Sequence, residues 1–230
     1  MKLDGILFDK DGTLFDFAAT WNAWAASLIR DLADGDDALA RRIADAAHFD
    51  LATDQFAPTS PIIAGTNREA AECIASALPG RDVDELEQEM MIRAASAPLR
   101  PPVPLEPLLA ELAGRGLQLG VMTNDSEYAA RAHMGAAGVA DRFRVLIGFD
   151  SGHGAKPAPT PLLAFASACG LDPARVAMVG DSTHDLIAGR AAGMVTIAVL
   201  TGLAGPAELS PHADVILPHI GHLPDWLDAA

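Results

Sequence analysis

The stretch "GILFDKDGTLFDF", residues 5–17, runs an apolar segment directly into two aspartates, Asp9 and Asp11, that flank Lys10. A short apolar run bounded by Asp and Gly reads as a buried strand that ends in a turn. Two neighbouring carboxylates repel, and removal from water makes each harder to ionise. Taken alone, the pair fits a plain turn, where Asp and Gly12 are common. A calcium loop of the EF-hand type does not fit. Gly12 comes too early, Thr20 stands where the ligand Glu belongs, and a strand precedes the loop.

With this one, four apolar runs end the same way. Leu3–Phe8 reaches Asp9, Leu117–Met122 reaches Thr123-Asn124-Asp125, Val145–Ile147 leads through a Gly-rich loop to Lys156-Pro157, and Val176–Val179 reaches Gly180-Asp181. Helical patterns over Tyr128–Ala137, Pro161–Cys169 and Asp185–Ala192 separate or follow them, and Thr196–Leu200 and Val215–Leu217 read as a fifth and a sixth strand. This alternation predicts an α/β fold, a Rossmann-like parallel sheet with right-handed crossovers and helices on both faces. Ligands of such sheets bind outside the carboxyl ends of the strands. Every polar cluster named above falls at that edge.

Residues 17–97 differ. They are rich in Ala, Asp, Glu and Arg with helical periodicity and carry no convincing strand. The proline-stiffened "APLRPPVPLEP", residues 97–107, returns the chain to the strand pattern. The expected organisation is a core domain of residues 1–16 and 98–230, with residues 17–97 inserted as a helical domain after the first strand.

With 230 residues, half of them hydrophobic and a fifth charged, the chain is long enough for one such core and its insert. A formal net charge of −15 argues against nucleic-acid binding, which needs Lys and Arg to replace phosphate counterions, and against docking on anionic lipid. A small anionic substrate remains compatible if the site concentrates its own positive charge. Cys73 and Cys169 lack CxxC spacing and read as buried free thiols of a reducing compartment. Lys2, Asp4 and Asp9 interrupt any signal-peptide core, and no apolar run has the length of a membrane span. A soluble, cytoplasmic protein is expected.

A second acidic pair, Asp181 and Asp185, stands in "VGDSTHDLIAGRAAGM". Asp181 or Ser182 can simply cap the next helix, with Asp185 in its first turn. Two acidic pairs at strand ends nevertheless make a nest of carboxylates that needs a counter-charge. A hard divalent cation such as Mg²⁺, held by few carboxylates, water and substrate phosphate, fits that need. Thr123 and Asn124 can offer a hydroxyl and backbone N–H groups to phosphate oxygens, or serve as a cap. Lys156, after the turn in "SGHGAKPAP", is either a surface lysine or the neutraliser of a carboxylate and a phosphate. Neither a P-loop nor a complete dinucleotide fingerprint is present.

In order, "FDKDGTL", "VMTND", "KPAP" and "VGDSTHD" resemble the four motifs of the haloacid dehalogenase (HAD) superfamily of phosphohydrolases, with residues 17–97 similar to its helical cap. The resemblance implies a phosphoaspartyl mechanism in a small-molecule phosphatase. Asp9 would be the nucleophile and Asp11 the general acid and base. Thr123, Asn124 and Lys156 would bind the phosphoryl group, with Thr123 and Lys156 acting in catalysis. Asp181 would hold Mg²⁺ with Asp9 and the Asp11 carbonyl, and Asp185 would order the outer shell of the metal. Lys10 departs from the usual apolar residue, and strand alternation points it away from the site.

In "IIAGTNREAAE", Gly65–Glu69 resembles the specificity loop of such caps, which would bring Arg68 to a second anionic group of the substrate. The competing reading puts Thr66 or Asn67 at a helix cap and Arg68 in solvent. His184 either touches substrate or sits on a helix face. Phe17, Trp21 and Trp24 read as cap packing, and the remaining six histidines have no metal-ligand spacing. The general likeness, including "GRAAGM", is to phosphoglycolate phosphatase-like members, so the expected partner is a small phosphorylated metabolite, phosphoglycolate or a sugar phosphate, acted on by a monomer or homodimer. A phosphosugar mutase of the β-phosphoglucomutase type shares every catalytic residue and is the alternative. A non-catalytic phospho-ligand-binding protein is a third reading, disfavoured by Asp11, which a binder does not need.

Overall fold

The computed structural model describes residues 2–229. In chain order the elements are β1 (Gly5–Phe8), α1 (Phe17–Ala33), α2 (Asp37–Ala47), β2 (Phe49–Asp50), β3 (Gln55–Phe56), α3 (Asn67–Ala75), α4 (Val83–Ala94), α5 (Leu105–Gly114), β4 (Gln118–Met122), α6 (Glu127–Ala136), β5 (Val145–Ile147), α7 (Thr160–Cys169), β6 (Val176–Gly180), α8 (Thr183–Ala191), β7 (Val195–Val199), α9 (Pro206–Leu209), β8 (Val215–Leu217) and α10 (Leu223–Ala229). Six strands form one sheet in the order β5-β4-β1-β6-β7-β8, and every pairing in it is parallel. All six expected strands are present, two of them with the expected ends and the others with ends shifted by no more than two residues.

Pleating divides the buried side chains between two layers. Ile6 and Phe8 join Leu119, Val121, Ala177, Val179 and Ile197 on one face, where they meet Leu109 and Leu112 of α5 and Met134 of α6. Leu7, Met122 and Met178 face the opposite way, against Leu162 and Phe165 of α7 and Ala188 of α8. Because β1 lies between β4 and β6, Gly5 is opposite both Gln118 and Val176, and the three strands end level with one another. Asp9, Thr123 and Asp181 therefore emerge side by side.

Helices α1–α4, inserted between β1 and α5, pack around an apolar cluster of their own, including Leu28, Ile29, Ile43, Ile74, Leu86 and Met90. Asp16 caps α1 through an Ala19 N–H bond of 2.7 Å. Its backbone N–H donates to Arg100 O at 2.8 Å, so the outgoing and returning crossings are stitched together. The insert also holds a two-stranded antiparallel pair, β2 with β3, which the sequence reading did not anticipate. Two residues per strand leave no alternation to read. The pair is held by Phe49 against Phe56, ring centroids 4.9 Å apart, and by an Asp50 side chain that accepts from Ala52 N–H at 2.8 Å. Both cysteines are free, but they are half-buried rather than buried. Among the described residues, no helix is long and apolar enough to cross a membrane.

Candidate active site

Asp9 leaves the end of β1 and is almost fully enclosed. Lys156 reaches it from the β5–α7 connection, with Nζ 2.5 Å from Asp9 Oδ1, 2.6 Å from Asp185 Oδ1 and 3.0 Å from the Met122 carbonyl. Burial disfavours the Lys156 charge, but Asp185 and Asp9 outweigh it and raise the pKa of the ammonium. Asp9 is pushed up to about 7 by burial, an effect opposed by Lys156 and reinforced by Asp185 and Asp11. Asp181 is raised as well, through burial and its neighbours Asp9 and Asp185.

These shifts describe a deficit of positive charge. Asp9, Asp181 and Asp185 each offer an oxygen within 4.8 Å of the others, and Lys156 pairs with two of these carboxylates, Asp9 and Asp185. Such a donor set, all oxygen and all buried, fits a hard divalent cation. The local backbone is shaped around Asp181. Gly12 has φ +83, and a Cβ there would lie 2.3 Å from Asp181 Oδ2; a Cβ on Gly202 would lie 1.7 Å from the same oxygen. Asp185 is held differently. Its Oδ2 accepts from the Ser182 backbone N–H at 3.0 Å and the Ser182 hydroxyl at 2.8 Å, which fixes it in the first turn of α8.

Above the sheet edge lies a cavity of about 90 Å³, well beyond the ~10–15 Å³ that admits a single water. Its floor includes Asp9, Asp11, Thr123, Lys156 and Asp181, and its roof is formed by Phe17, Trp21, Trp24, Phe56 and Met90 of the insert. A family model described as haloacid dehalogenase-like hydrolase matches residues 3–193. The chain belongs to this family.

Among its relatives in the haloacid dehalogenase-like family, an N-acetylmuramic acid 6-phosphate phosphatase of Pseudomonas aeruginosa is 34% identical over 235 residues, covering 100% of this chain and 97% of that protein. A phosphoglycolate phosphatase of Neisseria meningitidis is 39% identical over 128 residues, 55% of this chain and 54% of that protein. The crystal structure of a HAD phosphatase from Thermococcus onnurineus shares the fold, with a TM-score of 0.67 at 22% identity over 99% of this chain and 98% of that one.

Within this hydrolase the residues singled out in the sequence fare unequally. Asp9, Asp11, Thr123, Lys156 and Asp181 converge on the cavity, with Asp185 beneath them. Thr123 Oγ1 accepts from Asp125 N–H at 3.1 Å, and its hydroxyl proton remains available to donate. Asn124 lines the cavity, but its side chain is committed elsewhere. Nδ2 donates to the Ala64 and Lys156 carbonyls, both at 2.9 Å, while Oδ1 accepts from Lys156 N–H at 2.9 Å. Asn124 thus ties the insert to the Lys156 backbone.

Arg68 is not brought to the cavity. It leaves the exposed side of α3 toward Glu72 at 2.9 Å, Glu87 at 3.2 Å and Asp84, because three carboxylates on α3 and α4 compete for it. The helix cap of the competing reading is present instead: Thr66 is the N-cap of α3 and forms a capping box, its N–H donating to Glu69 at 2.7 Å. His184 does line the cavity, and Phe17, Trp21 and Trp24 both pack the insert and face that space.

Lys10 corrects the sequence reading most sharply. The pleat ends at Phe8, so strand alternation no longer applies, and the chain turns through Gly12 with Gly12 N–H donating to Phe15 O at 2.7 Å. Lys10 is fully buried beside the site rather than directed away from it. Its Nζ lies 2.7 Å from Asp11 Oδ2, 3.0 Å from Asp125 Oδ2 and 3.1 Å from His133 Nδ1, and 5.2 Å from the centre of a Trp21 ring. Burial opposes the charge, but Asp11 and Asp125 more than offset it. His133 Nε2 contacts the Ala94 carbonyl at 2.8 Å and must carry the proton there, which leaves Nδ1 as the acceptor for Lys10.

Sequence reasoning passed over Asp125, His133, Thr201 and Gly202. Asp125 was visible at the end of the "VMTND" motif. Thr201, whose hydroxyl donates to Gly12 O at 2.5 Å, and Gly202 follow β7 with no spacing signal linking them to residues 9–12.

Proposed function

We propose that this chain is a Mg²⁺-dependent phosphatase of small phosphomonoesters, phosphoglycolate or a sugar phosphate, working through a phosphoaspartyl intermediate. The observation that carries this reading is the convergence of Asp9, Asp11, Lys156 and Asp181 on one enclosed floor. An Asp9 carboxylate oxygen attacks phosphorus, and the bond from phosphorus to the leaving oxygen breaks as Asp11 delivers a proton to that oxygen. Asp11, now a carboxylate, takes a proton from water as the water oxygen attacks phosphorus. The bond to Asp9 then breaks, releasing inorganic phosphate and restoring the Asp9 carboxylate. Thr123 and Lys156 hold the equatorial oxygens through both displacements, and the Lys156 ammonium favours the ionised form of Asp9 against the effect of burial.

Asp9, Asp181 and the Asp11 carbonyl would hold the metal, with Asp185 orienting its surroundings; once bound, it supplies the positive charge that lets phosphate approach so many carboxylates. The roof formed by residues 17–97 serves as a cap that excludes water from the acyl phosphate. Relatives named for N-acetylmuramic acid 6-phosphate and for phosphoglycolate support a small phosphorylated substrate. A mutase must return the phosphoryl group to sugar, and a roof without Arg68 offers little to grip a second phosphate. Asp9→Asn is the test. With p-nitrophenyl phosphate and Mg²⁺, phosphate release should fall by about a thousandfold while the circular-dichroism spectrum is preserved. Near-normal turnover would remove Asp9 from the nucleophilic role.

A further inference from the structure

The roof of the cavity has a different chemistry from its floor. Among the described residues, Lys156 and His184 are the only basic side chains that line the space, and Lys156 is already engaged by Asp9 and Asp185. The insert contributes aromatic and aliphatic surface, with the Trp21 and Trp24 rings meeting edge to face at 5.2 Å. Within that surface two buried polar atoms have no partner, Trp24 Nε1 and Asn67 Nδ2. Both belong to residues that line the cavity.

An indole N–H and an amide NH₂ can only donate, so the groups that complement them are acceptor oxygens. A buried donor left unpaired is costly, which gives a ligand that satisfies it a built-in advantage. Carboxylate oxygens also accept, but here a second anion would enter a poorly hydrated space whose floor already carries Asp9, Asp11, Asp125 and Asp181, with no free cation on the roof to meet it. Hydroxyl, ether and amide carbonyl oxygens avoid that penalty. The surrounding rings suit the apolar faces of a ring-sized group, with a few polar atoms fixing its orientation.

We propose that Trp24 and Asn67 are specificity-determining residues that select a phosphomonoester whose leaving group is uncharged, ring-sized and rich in acceptor oxygens, a neutral sugar phosphate, over a short acidic phosphate. This rests on the phosphatase reading and narrows its substrate. The roles of the two side chains are recognition only. They contact the part of the substrate that leaves with the alcohol and take no part in phosphoryl transfer.

The test compares initial rates of phosphate release from N-acetylglucosamine 6-phosphate, phosphoglycolate and p-nitrophenyl phosphate by the full chain with Mg²⁺. The sugar phosphate should exceed phosphoglycolate in kcat/KM by at least about tenfold, and Trp24→Phe, which keeps a ring and deletes the N–H, should lower that ratio by about tenfold. Asn67→Lys places a cation on the roof and should lower the same ratio by raising turnover of phosphoglycolate. Equal or better use of phosphoglycolate by the unmodified chain would overturn the inference, as would ratios within twofold of it in both variants. If p-nitrophenyl phosphate itself is not hydrolysed, the phosphatase reading fails and the inference falls with it.

Discussion

Replacing Lys10 with Met keeps an unbranched chain of similar length and deletes one buried charge. The ammonium is enclosed and lies 2.7 Å from Asp11 and 3.0 Å from Asp125, so its loss leaves two facing carboxylates without a cation. Removing one partner of a buried ion pair costs roughly 3–5 kcal/mol, because the remaining charge is uncompensated. Asp11 retains some solvent contact, its side chain being 15% exposed, which places the expectation near the lower end, about 3 kcal/mol. For a chain of this length that corresponds to a fall in Tm of about 6–12 °C. Urea unfolding followed by circular dichroism measures the loss directly. Asp125→Asn in the Lys10→Met background should recover part of it, since the second variant removes one of the two stranded charges. A single-variant loss below about 1 kcal/mol, or strictly additive effects in the double variant, would refute the account of Lys10 as the cation that holds Asp11 and Asp125 together.

Three further expectations follow from the same geometry. In the presence of EDTA, Asp9 keeps in the folded state a proton that the unfolded chain releases, because its pKa rises from 3.8 to about 7; its stabilising contribution is complete below the lower value and is lost as pH climbs through the upper one. Tm should therefore decline across that window and recover on adding Mg²⁺, and a flat profile in EDTA would contradict the buried-carboxylate reading. Asn124→Ala strands the Ala64 and Lys156 carbonyls and should cost about 1–3 kcal/mol in urea unfolding while raising KM; unchanged stability would mean that the bridge contributes nothing. Gly202→Ala forces a methyl group against Asp181 and should weaken Mg²⁺ activation about 10- to 100-fold in a metal titration of phosphate release. An unaltered titration curve would show that Asp181 can yield without consequence.

What the sequence disclosed and what it concealed divide along a physical line. The six strands were legible because a strand buried on both faces of a parallel sheet must be apolar throughout, and its end must turn polar where the backbone meets solvent or ligand. That same rule places Asp9, Thr123 and Asp181 at one edge of the sheet. The parts that stayed hidden depend on where a side chain goes after regular structure stops. Lys10 follows the last pleated residue by two positions, so period-two reasoning had no backbone left to act on, and its destination was decided by Asp11, Asp125 and His133 from three different segments. Arg68 stayed undecided for the converse reason. A local motif allowed it beside the cavity, but Glu72 one turn onward and Asp84 and Glu87 on the neighbouring helix offered it three carboxylates outside. Both cases concern long cationic side chains in a chain with nearly twice as many acids as bases, 31 Asp and Glu against 16 Lys and Arg. In such a chain every cation is contested, and motif position alone does not say which carboxylate wins. The consequence reaches substrate choice, because a roof whose one candidate cation has been drawn away is left with rings and neutral donors, and those are the groups with which it must recognise whatever phosphate ester it closes upon.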